Sequence, residues 1–435
     1  MTAENIDLEE RVVDFEAIPE KPEWREIARA YKEAIEQTSF YRDLSEKVVE
    51  SVNGRNKVLD LGCGTGAHLD RILEANTSCE VVGVDSSIEM LRIANSRLAQ
   101  DHPGRDFRLY YADGTTFNKE RHFDAIISSN VLFNLENPMG YLDNALRLLS
   151  HGGVLVLTSP FAMDVDGAEE MMREDFRKQR NYEEKEPFID TVWRVNRSFP
   201  GRSNMYSQER MHDILLDFIG FDEILSEGKA YGSNFFFVAK KSESPSNVSI
   251  KITDDPELME KGFRLRYHWL FDRHRAIPEK EGEVYRDPCD ERSIGAFAVE
   301  EGTGRVVGFL NYVPPGDNMP FSDKGLLAQI CQQYGDVGAF NGYYIVKAKQ
   351  GKGVGRRMVK GMMQWAAENG ISAIVSEANP EIVRSMEPLG WHAIGPDFQA
   401  YGNKNLPSTP TLATLENYSG AELEIPVERL RQPVS

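Results

Sequence analysis

Lys57-Val58-Leu59-Asp60-Leu61-Gly62-Cys63-Gly64-Thr65-Gly66 runs from an apolar strand straight into three alternating glycines. Glycine carries no Cβ, so such a loop turns tightly and lets a ligand approach backbone N–H groups at the start of the following helix. A nucleotide-like cofactor belongs at a junction of this kind. Glu80-Val81-Val82-Gly83-Val84-Asp85 is a second short buried strand, and it ends in an acid about twenty residues beyond the glycines, where a carboxylate takes the two hydroxyls of a ribose. Ser86 follows directly. A third strand, Phe107 to Ala112, ends in Asp113-Gly114, and a fourth, Phe123 to Ser129, ends in Asn130. Four strand ends therefore line one edge.

This set resembles the class I S-adenosylmethionine-dependent methyltransferases over residues 20 to 240. The resemblance implies that the loop with Asp60, Gly62, Cys63, Gly64 and Gly66 wraps the methionine part of the cofactor. It also implies that Asp85 holds the ribose and Asp113 meets the adenine amino group, with Ser86, Gly114 and Asn130 beside them. Nicotinamide enzymes share the topology but use a G-x-G-x-x-G turn, whereas this chain has G-x-G-x-G. In the resembled family, helices before the loop cover the cofactor. Residues 22 to 52 have helical periodicity, and Tyr31 or Tyr41 could face the sulfonium by cation–π attraction or simply pack.

A length of 435 residues points to two or three domains. The formal net charge of −19 disfavours nucleic acid and anionic membrane partners, since an acidic surface repels them. Cys63, Cys79, Cys289 and Cys331 lack C-x-x-C spacing, so neither a metal site nor a disulfide framework is indicated. No signal region or long apolar run is present, and the expectation is a soluble cytoplasmic protein.

Many small-molecule methyltransferases of this type carry a histidine where Asn134 sits. A neutral amide there puts general-base chemistry in doubt, and a neutral amine or a thiolate would react with the sulfonium unaided. Residues 161 to 206 break the strand–helix alternation, and their Phe188, Trp193 and Arg194 are candidates to touch substrate. Helix Glu209 to Leu216 and strand Phe235 to Ala239 finish the first sheet.

Lys240 to Asn247 has linker composition. Beyond it, Tyr343-Tyr344-Ile345-Val346 forms a strand, Gln350-Gly351-Lys352-Gly353-Val354-Gly355-Arg356-Arg357 a glycine-rich turn, and the following residues an amphipathic helix. Backbone N–H groups, a helix dipole and nearby Lys352, Arg356 and Arg357 suit a pyrophosphate. Gln-x-x-Gly-x-Gly in this setting resembles the acetyl-CoA signature of the GNAT N-acetyltransferases, over residues 250 to 400. By that resemblance Gln350, Gly351, Lys352, Gly353, Val354, Gly355 and Arg356 hold the CoA pyrophosphate, and backbone near Ile345 and Val346 pairs with pantetheine. Phe263 to Phe271 is similar to the start of N-acyl amino acid and autoinducer synthases, but arginines flanking an apolar stripe also make an ordinary first helix, which is the preferred reading. Many GNAT enzymes place an acid tyrosine where Met386 stands here. Glu377 is then the best-placed base, and Tyr343 or Tyr344 the candidate acid. Residues 402 to 435, rich in proline, are expected to pack as a terminal extension.

The expected fold class is α/β: a Rossmann-like seven-stranded methyltransferase sheet with helices on both faces, then an α/β GNAT domain with a mixed, mostly antiparallel sheet. The expected boundaries are 1–241, a linker 242–248, and 249–435. S-adenosylmethionine and acetyl-CoA, or another acyl-CoA, are the expected cofactors, with no metal. The expected function is methylation and N-acetylation of one small amine-containing metabolite, since tethering raises the local concentration of an intermediate. The alternatives are a non-catalytic CoA-binding second domain, a protein substrate, or transfer of the aminocarboxypropyl arm instead of the methyl.

Overall fold

The computed structural model of the protein describes residues 22–160 apart from 34 and 121; 170, 173–174, 177–178 and 182–196; 206–243 apart from 232–233; 247–278 apart from 275; 281–400; and 406–418. The chain divides into two compact units at Ser244–Pro245, with Asp217–Gly220 grouped with the second.

In the first unit the apolar runs form β1 (Lys57–Leu61), β2 (Glu80–Asp85), β3 (Phe107–Tyr111), β4 (Phe123–Ser129) and β5 (Leu149–Pro160). Two more strands, β6 (Glu223–Tyr231) and β7 (Asn234–Lys240), complete a seven-stranded sheet in the order β3-β2-β1-β4-β5-β7-β6. The first five strands are parallel, and β7 runs antiparallel to β5 and β6. Central parallel strands are buried on both faces, which explains why Val58, Leu59, Leu61, Ala125, Ile126 and Ile127 are apolar, with the buried acid Asp60 interrupting the run in β1. Strand β6 is an edge strand carrying Glu223, Glu227 and Lys229, a pattern that does not announce a strand in sequence.

The helices of this unit are α1 (Pro22–Glu33), α2 (Ser39–Ser51), α3 (Ala67–Ala75), α4 (Ile88–Asp101), α5 (Pro138–Leu148), α6 (Tyr182–Asn196) and α7 (Gln208–Asp213). Thr38, Ser87, Asn137 and Ser207 cap α2, α4, α5 and α7, each side-chain oxygen accepting a first-turn N–H. The periodic stretch from 22 to 52 is thus not one helix. It breaks between α1 and α2 at a short 3-10 turn, Ile35–Gln37, because Thr38 starts a new capped helix. Strand order reverses between β1 and β4, and the crevice at their C-terminal ends is where a doubly wound sheet binds ligands.

The second unit contains β8 (Val248–Thr253), α8 (Pro256–Tyr267), β9 (Ile294–Glu300), β10 (Val306–Val313), α9 (Lys324–Tyr334), β11 (Val337–Ile345), α10 (Val354–Glu368), β12 (Ala373–Ala378), α11 (Pro380–Met386), β13 (His392–Ala393), β14 (Phe398–Gln399) and β15 (Pro407–Thr414). Its sheet runs β13-β15-β12-β11-β10-β9-β8, with β14 on β15. Strands β11 and β12 are parallel and the other pairs antiparallel. Pairing of β11 with β12 ends at Phe340–Ser376, while β11 continues to Ile345 against β10. The two strands part there and open a cleft in the sheet.

One expectation fails in this unit. Residues 407–414 are not a peripheral extension: β15 pairs along the full length of β12, from Ala373–Thr414 to Ala378–Thr409. The prolines concealed the strand. Pro410 sits opposite Glu377 and still accepts the Ile394 N–H at 2.9 Å, so it needs no N–H of its own there.

Candidate functional sites

The glycine loop follows β1 with Gly62, Gly64 and Gly66 at φ +88°, +52° and +76°, conformations that favour glycine. Asp85, at the end of β2, reaches back to this loop: its Oδ2 accepts the Gly64 N–H and its Oδ1 accepts the Ser87 N–H, both at 2.8 Å. Each oxygen keeps lone-pair capacity for a ligand hydroxyl. Burial pushes Asp85 up to about 6, against backbone hydrogen bonds from Gly64, Ser87 and Ser86 that pull it down. Asp60 is only 1 % exposed, and neither of its carboxylate oxygens has a partner. Burial, with a smaller contribution from the charge on Asp85, pushes it up to about 8. A buried acid without donors is costly, and an ammonium is the group that relieves it. S-adenosylmethionine carries one, together with a ribose, so Asp60 and Asp85 fit this cofactor. Bound here, it would supply the electrophilic methyl.

Cys63 is buried, and its Sγ sits where a Cβ on Gly83 would meet it at 2.9 Å. Asp113 is exposed and accepts the Thr115 N–H at 2.7 Å, while the Gly114 carbonyl accepts from Asn144 at 2.7 Å. Asn130 has φ +58° and pairs its Oδ1 with Asn234 at 2.5 Å. Tyr31 on α1 packs against Met90 and Ile27, and a Cβ on Gly64 would reach the Met90 sulfur at 3.9 Å. The cover helix and the glycine loop thus share Met90. Burial, and secondarily Glu36, raises the Tyr31 hydroxyl to about 12. Tyr41 instead stacks on His68, ring centroids 5.6 Å apart. A clamp absent from the sequence reading ties cover to loop: Thr65 donates to Glu36, and Arg97 binds Glu36 Oε2 at 2.5 Å and the Thr65 carbonyl at 3.0 Å. Asn134 has a buried Oδ1 with no partner, free to accept from a substrate donor. Arg194 is exposed and paired with Glu26 at 2.8 Å. The side chains of Phe188 and Trp193 lie outside the described residues.

In the second unit, Gly351 and Gly353 take φ +71° and +77°, and Gly353 caps α10. The turn borders a groove of about 390 Å³ lined by Gln350, Gly351, Gly353, Val354, Gly355 and Arg356, among others. Lys352 is exposed; burial of part of its chain and repulsion from Lys349 lower its pKa. Lys349 also lines the groove, but its ammonium is held by the Glu300 carboxylate at 2.5 Å. A Cβ on Gly355 would overlap the Tyr343 hydroxyl, so only glycine lets that phenol lie over the first turn of α10. Helix N-terminus, glycines and cations together fit a pyrophosphate, and CoA bound there would supply an acyl thioester. The Ile345 carbonyl accepts from Gln350 Nε2 at 2.9 Å. Val346 has no free N–H: it donates to Val307, and its carbonyl takes the Lys349 N–H. The strand edge left open where β11 and β12 part therefore lies before Val346.

The groove meets a larger cavity of about 850 Å³ where the strands part, and Trp269, Tyr343 and Met386 line both. Tyr344 lines the cavity and is buried against Trp269 and Phe309. Glu377 lines it too, with its oxygens accepting the Ser322 N–H at 2.6 Å and the Ser322 hydroxyl at 2.8 Å. Sequence reasoning missed Asp287, Cys289 and Asn341 in the same wall. Asp287 lies before Pro288 in a segment without periodicity, so only the fold brings it to Asn341 on β11. Arg266 in α8 turns out to be a buried structural cation, paired with Asp290 at 2.6 Å, which favours the ordinary-helix reading of Phe263 to Phe271.

A glycine-loop nucleotide site on a 3-2-1-4-5-7-6 sheet and a pyrophosphate turn beside a parted strand pair define a chain with two group-transfer domains. Comparison with known families agrees: residues 59–155 match the methyltransferase domain model and residues 263–391 match the acetyltransferase (GNAT) family model. The chain is similar to the demethylmenaquinone methyltransferase of Tropheryma whipplei strain Twist, 33 % identical over 135 residues, 30 % of this chain and 54 % of that protein. It is also similar to the trans-aconitate 2-methyltransferase of Azoarcus sp. strain BH72, 34 % identical over 143 residues, 33 % and 53 % of the two chains. The chain thus spans about half the length of the curated relatives it matches. Among solved structures, the plantazolicin methyltransferase BpumL, in complex with a triazolic desmethylPZN analog and SAH, shares 18 % identity at a TM-score of 0.36, covering 51 % of this chain and 92 % of its own. The protein therefore carries an S-adenosylmethionine-dependent methyltransferase domain followed by a GNAT acetyltransferase domain, whose donors are S-adenosylmethionine and acetyl-CoA or another acyl-CoA. Among the described residues no helix is long and apolar enough to cross a membrane, and no cluster of three or more metal-binding side chains occurs.

Proposed function

We propose that the protein is a bifunctional transferase that methylates and N-acylates one small amine-containing metabolite in a biosynthetic pathway. The observation that carries this reading is the pairing, on one chain, of a glycine loop with an unpartnered buried Asp60 and a CoA-type turn that opens on a cavity of about 850 Å³. That volume lies in the range of small-molecule sites. In the first domain Asp60 meets the cofactor ammonium, Asp85 the ribose and Asp113 the adenine. Asn134 offers an acceptor oxygen but no base, so alignment of nucleophile, methyl and sulfur in a water-poor site drives transfer. In the second domain the groove holds pyrophosphate, pantetheine follows the free edge of β11, and the thioester enters the cavity. Tyr343, at the junction of groove and cavity, is the acid for the leaving thiolate.

The test is mass spectrometry of a low-molecular-weight metabolite extract incubated with pure protein, methyl-labelled S-adenosylmethionine and differently labelled acetyl-CoA. One compound gaining both labels is expected. Two labels that never coincide on one molecule overturn the tandem reading. A second reading draws on Met386, a buried thioether at the position where many GNAT enzymes keep a tyrosine: the second domain then binds CoA without turnover. Methyl label alone, with CoA binding retained, supports it.

A further inference from the structure

In the proposed assignment Asp60, Asp85 and Asp113 meet the ammonium, ribose and adenine of S-adenosylmethionine, which leaves its carboxylate without a partner. That carboxylate shares a carbon atom with the ammonium, so a group that holds it must also border the glycine loop. The other polar side chains of the loop are committed. Thr65 donates its hydroxyl to Glu36, and Arg97 is spent on Glu36 and the Thr65 carbonyl. His68 is different. It stands in the first turn of α3, two residues beyond Gly66, is 4 % exposed, and neither of its ring nitrogens has a partner. Helical side chains lean toward the N-terminus of their own helix, so the ring reaches back over the junction of loop and helix. There it stacks on Tyr41 in the first turn of α2, with ring planes 11° apart.

The backbone at this junction favours an anion. The nine-residue α3 starts from Gly66, which has no side chain to cap it, and the first helical N–H that the loop takes up is that of Asp70, given to the Gly66 carbonyl at 2.9 Å. The N–H groups of Ala67, His68 and Leu69 have no acceptor among the described residues. Aligned N–H groups at a helix start attract negative charge. The nearby side-chain charge has the same sign: burial first, and then the Arg71 guanidinium, lower His68 to about 4, which makes its ring a neutral N–H donor at pH 7. Stacking on Tyr41 requires no nitrogen, whereas a buried imidazole without hydrogen bonds is costly until a ligand supplies them. We infer that His68 anchors the carboxylate of the cofactor, donating a ring N–H to it while the uncapped first turn of α3 faces the same group. The inference rests on the S-adenosylmethionine reading of this domain and adds the residue that selects the amino-acid arm.

Calorimetry on the full-length protein at pH 7 compares S-adenosylhomocysteine with its decarboxylated analogue, which keeps the ammonium, ribose and adenine. The wild type should prefer the carboxylate-bearing ligand about tenfold or more. His68→Phe keeps a ring on Tyr41 without either nitrogen, and His68→Leu repeats the measurement without added volume. Both should lose most of that preference through weaker binding of S-adenosylhomocysteine alone. Unchanged affinity for methylthioadenosine, which lacks the amino-acid arm, reports that each variant is folded. A readout free of variants is the ring-nitrogen NMR signal of His68, which should move on binding S-adenosylhomocysteine and stay in place with the analogue. Equal wild-type affinity for the two ligands, a His68 signal that responds to both alike, or a preference that survives both substitutions overturns the inference. So does equal weakening of all three ligands in the variants, which would make His68 a packing residue. A wild type that binds none of them fails differently: it overturns the cofactor reading itself, and the inference with it.

Discussion

Two buried carboxylates, one in each domain, show how differently the same side chain is used. Asp290 is fully furnished, with a guanidinium, an amide and a backbone N–H on its oxygens. Asp60 is as deeply buried and has none of these. A carboxylate compensated by its own fold serves the fold. One left uncompensated at a glycine loop imposes a cost that a bound cation removes. The contrast therefore separates structure from function at the level of single atoms.

The largest effect expected is on the compensated acid. Asp290→Asn leaves the buried Arg266 charge without its short partner and should destabilise the second domain by about 3–5 kcal/mol, read as a fall in its denaturant midpoint. The uncompensated acid should behave in the opposite sense. Folding raises Asp60 from an ordinary 3.8 to about 8, so the folded state takes up a proton between those values. Stability of the cofactor-free protein consequently falls as pH rises from 4 toward 8, and Asp60→Asn should flatten that fall and cost no stability at pH 8. Asp85 contributes in the same sense up to about 6. The same variant should weaken S-adenosylmethionine binding about tenfold, about 1.4 kcal/mol. Wild-type binding should release a proton, seen as a buffer-dependent enthalpy in calorimetry. Unchanged affinity in Asp60→Asn would assign the orphan acid to something other than the cofactor ammonium.

The division between compensated and uncompensated groups also marks what the sequence disclosed. Both donor loops were legible, because glycine spacing after an apolar run is a local signal, and Asp85 was legible because β2 is short and buried. Asp60 was visible as a residue but not as an orphan, since the absence of partners is a three-dimensional fact. Asp287 and Asn341, like Glu36 and Arg97, meet only through tertiary packing across distant segments. β15 was hidden because Pro410 suppresses the strand pattern, although only its carbonyl is used in pairing with Ile394. The break between α1 and α2 has no periodic signature, because hydrophobic periodicity continues across it.

The finest comparison concerns the loops themselves, and it asks whether the two domains use glycine for the same reason. Gly62 and Gly353 share a positive φ, +88° and +77°. Their surroundings differ: a Cβ on Gly62 would overlap Val131, whereas one on Gly353 would have nothing within 4 Å. Gly353→Ala should therefore cost the backbone strain alone, about 1–2 kcal/mol. Gly62→Ala should cost that plus about 1–3 kcal/mol of overpacking. Urea unfolding of each variant measures the difference. Equal costs would mean that Val131 moves aside freely, and that the methyl-donor loop needs glycine for its dihedral angle and not for the close approach of the segment that follows β4.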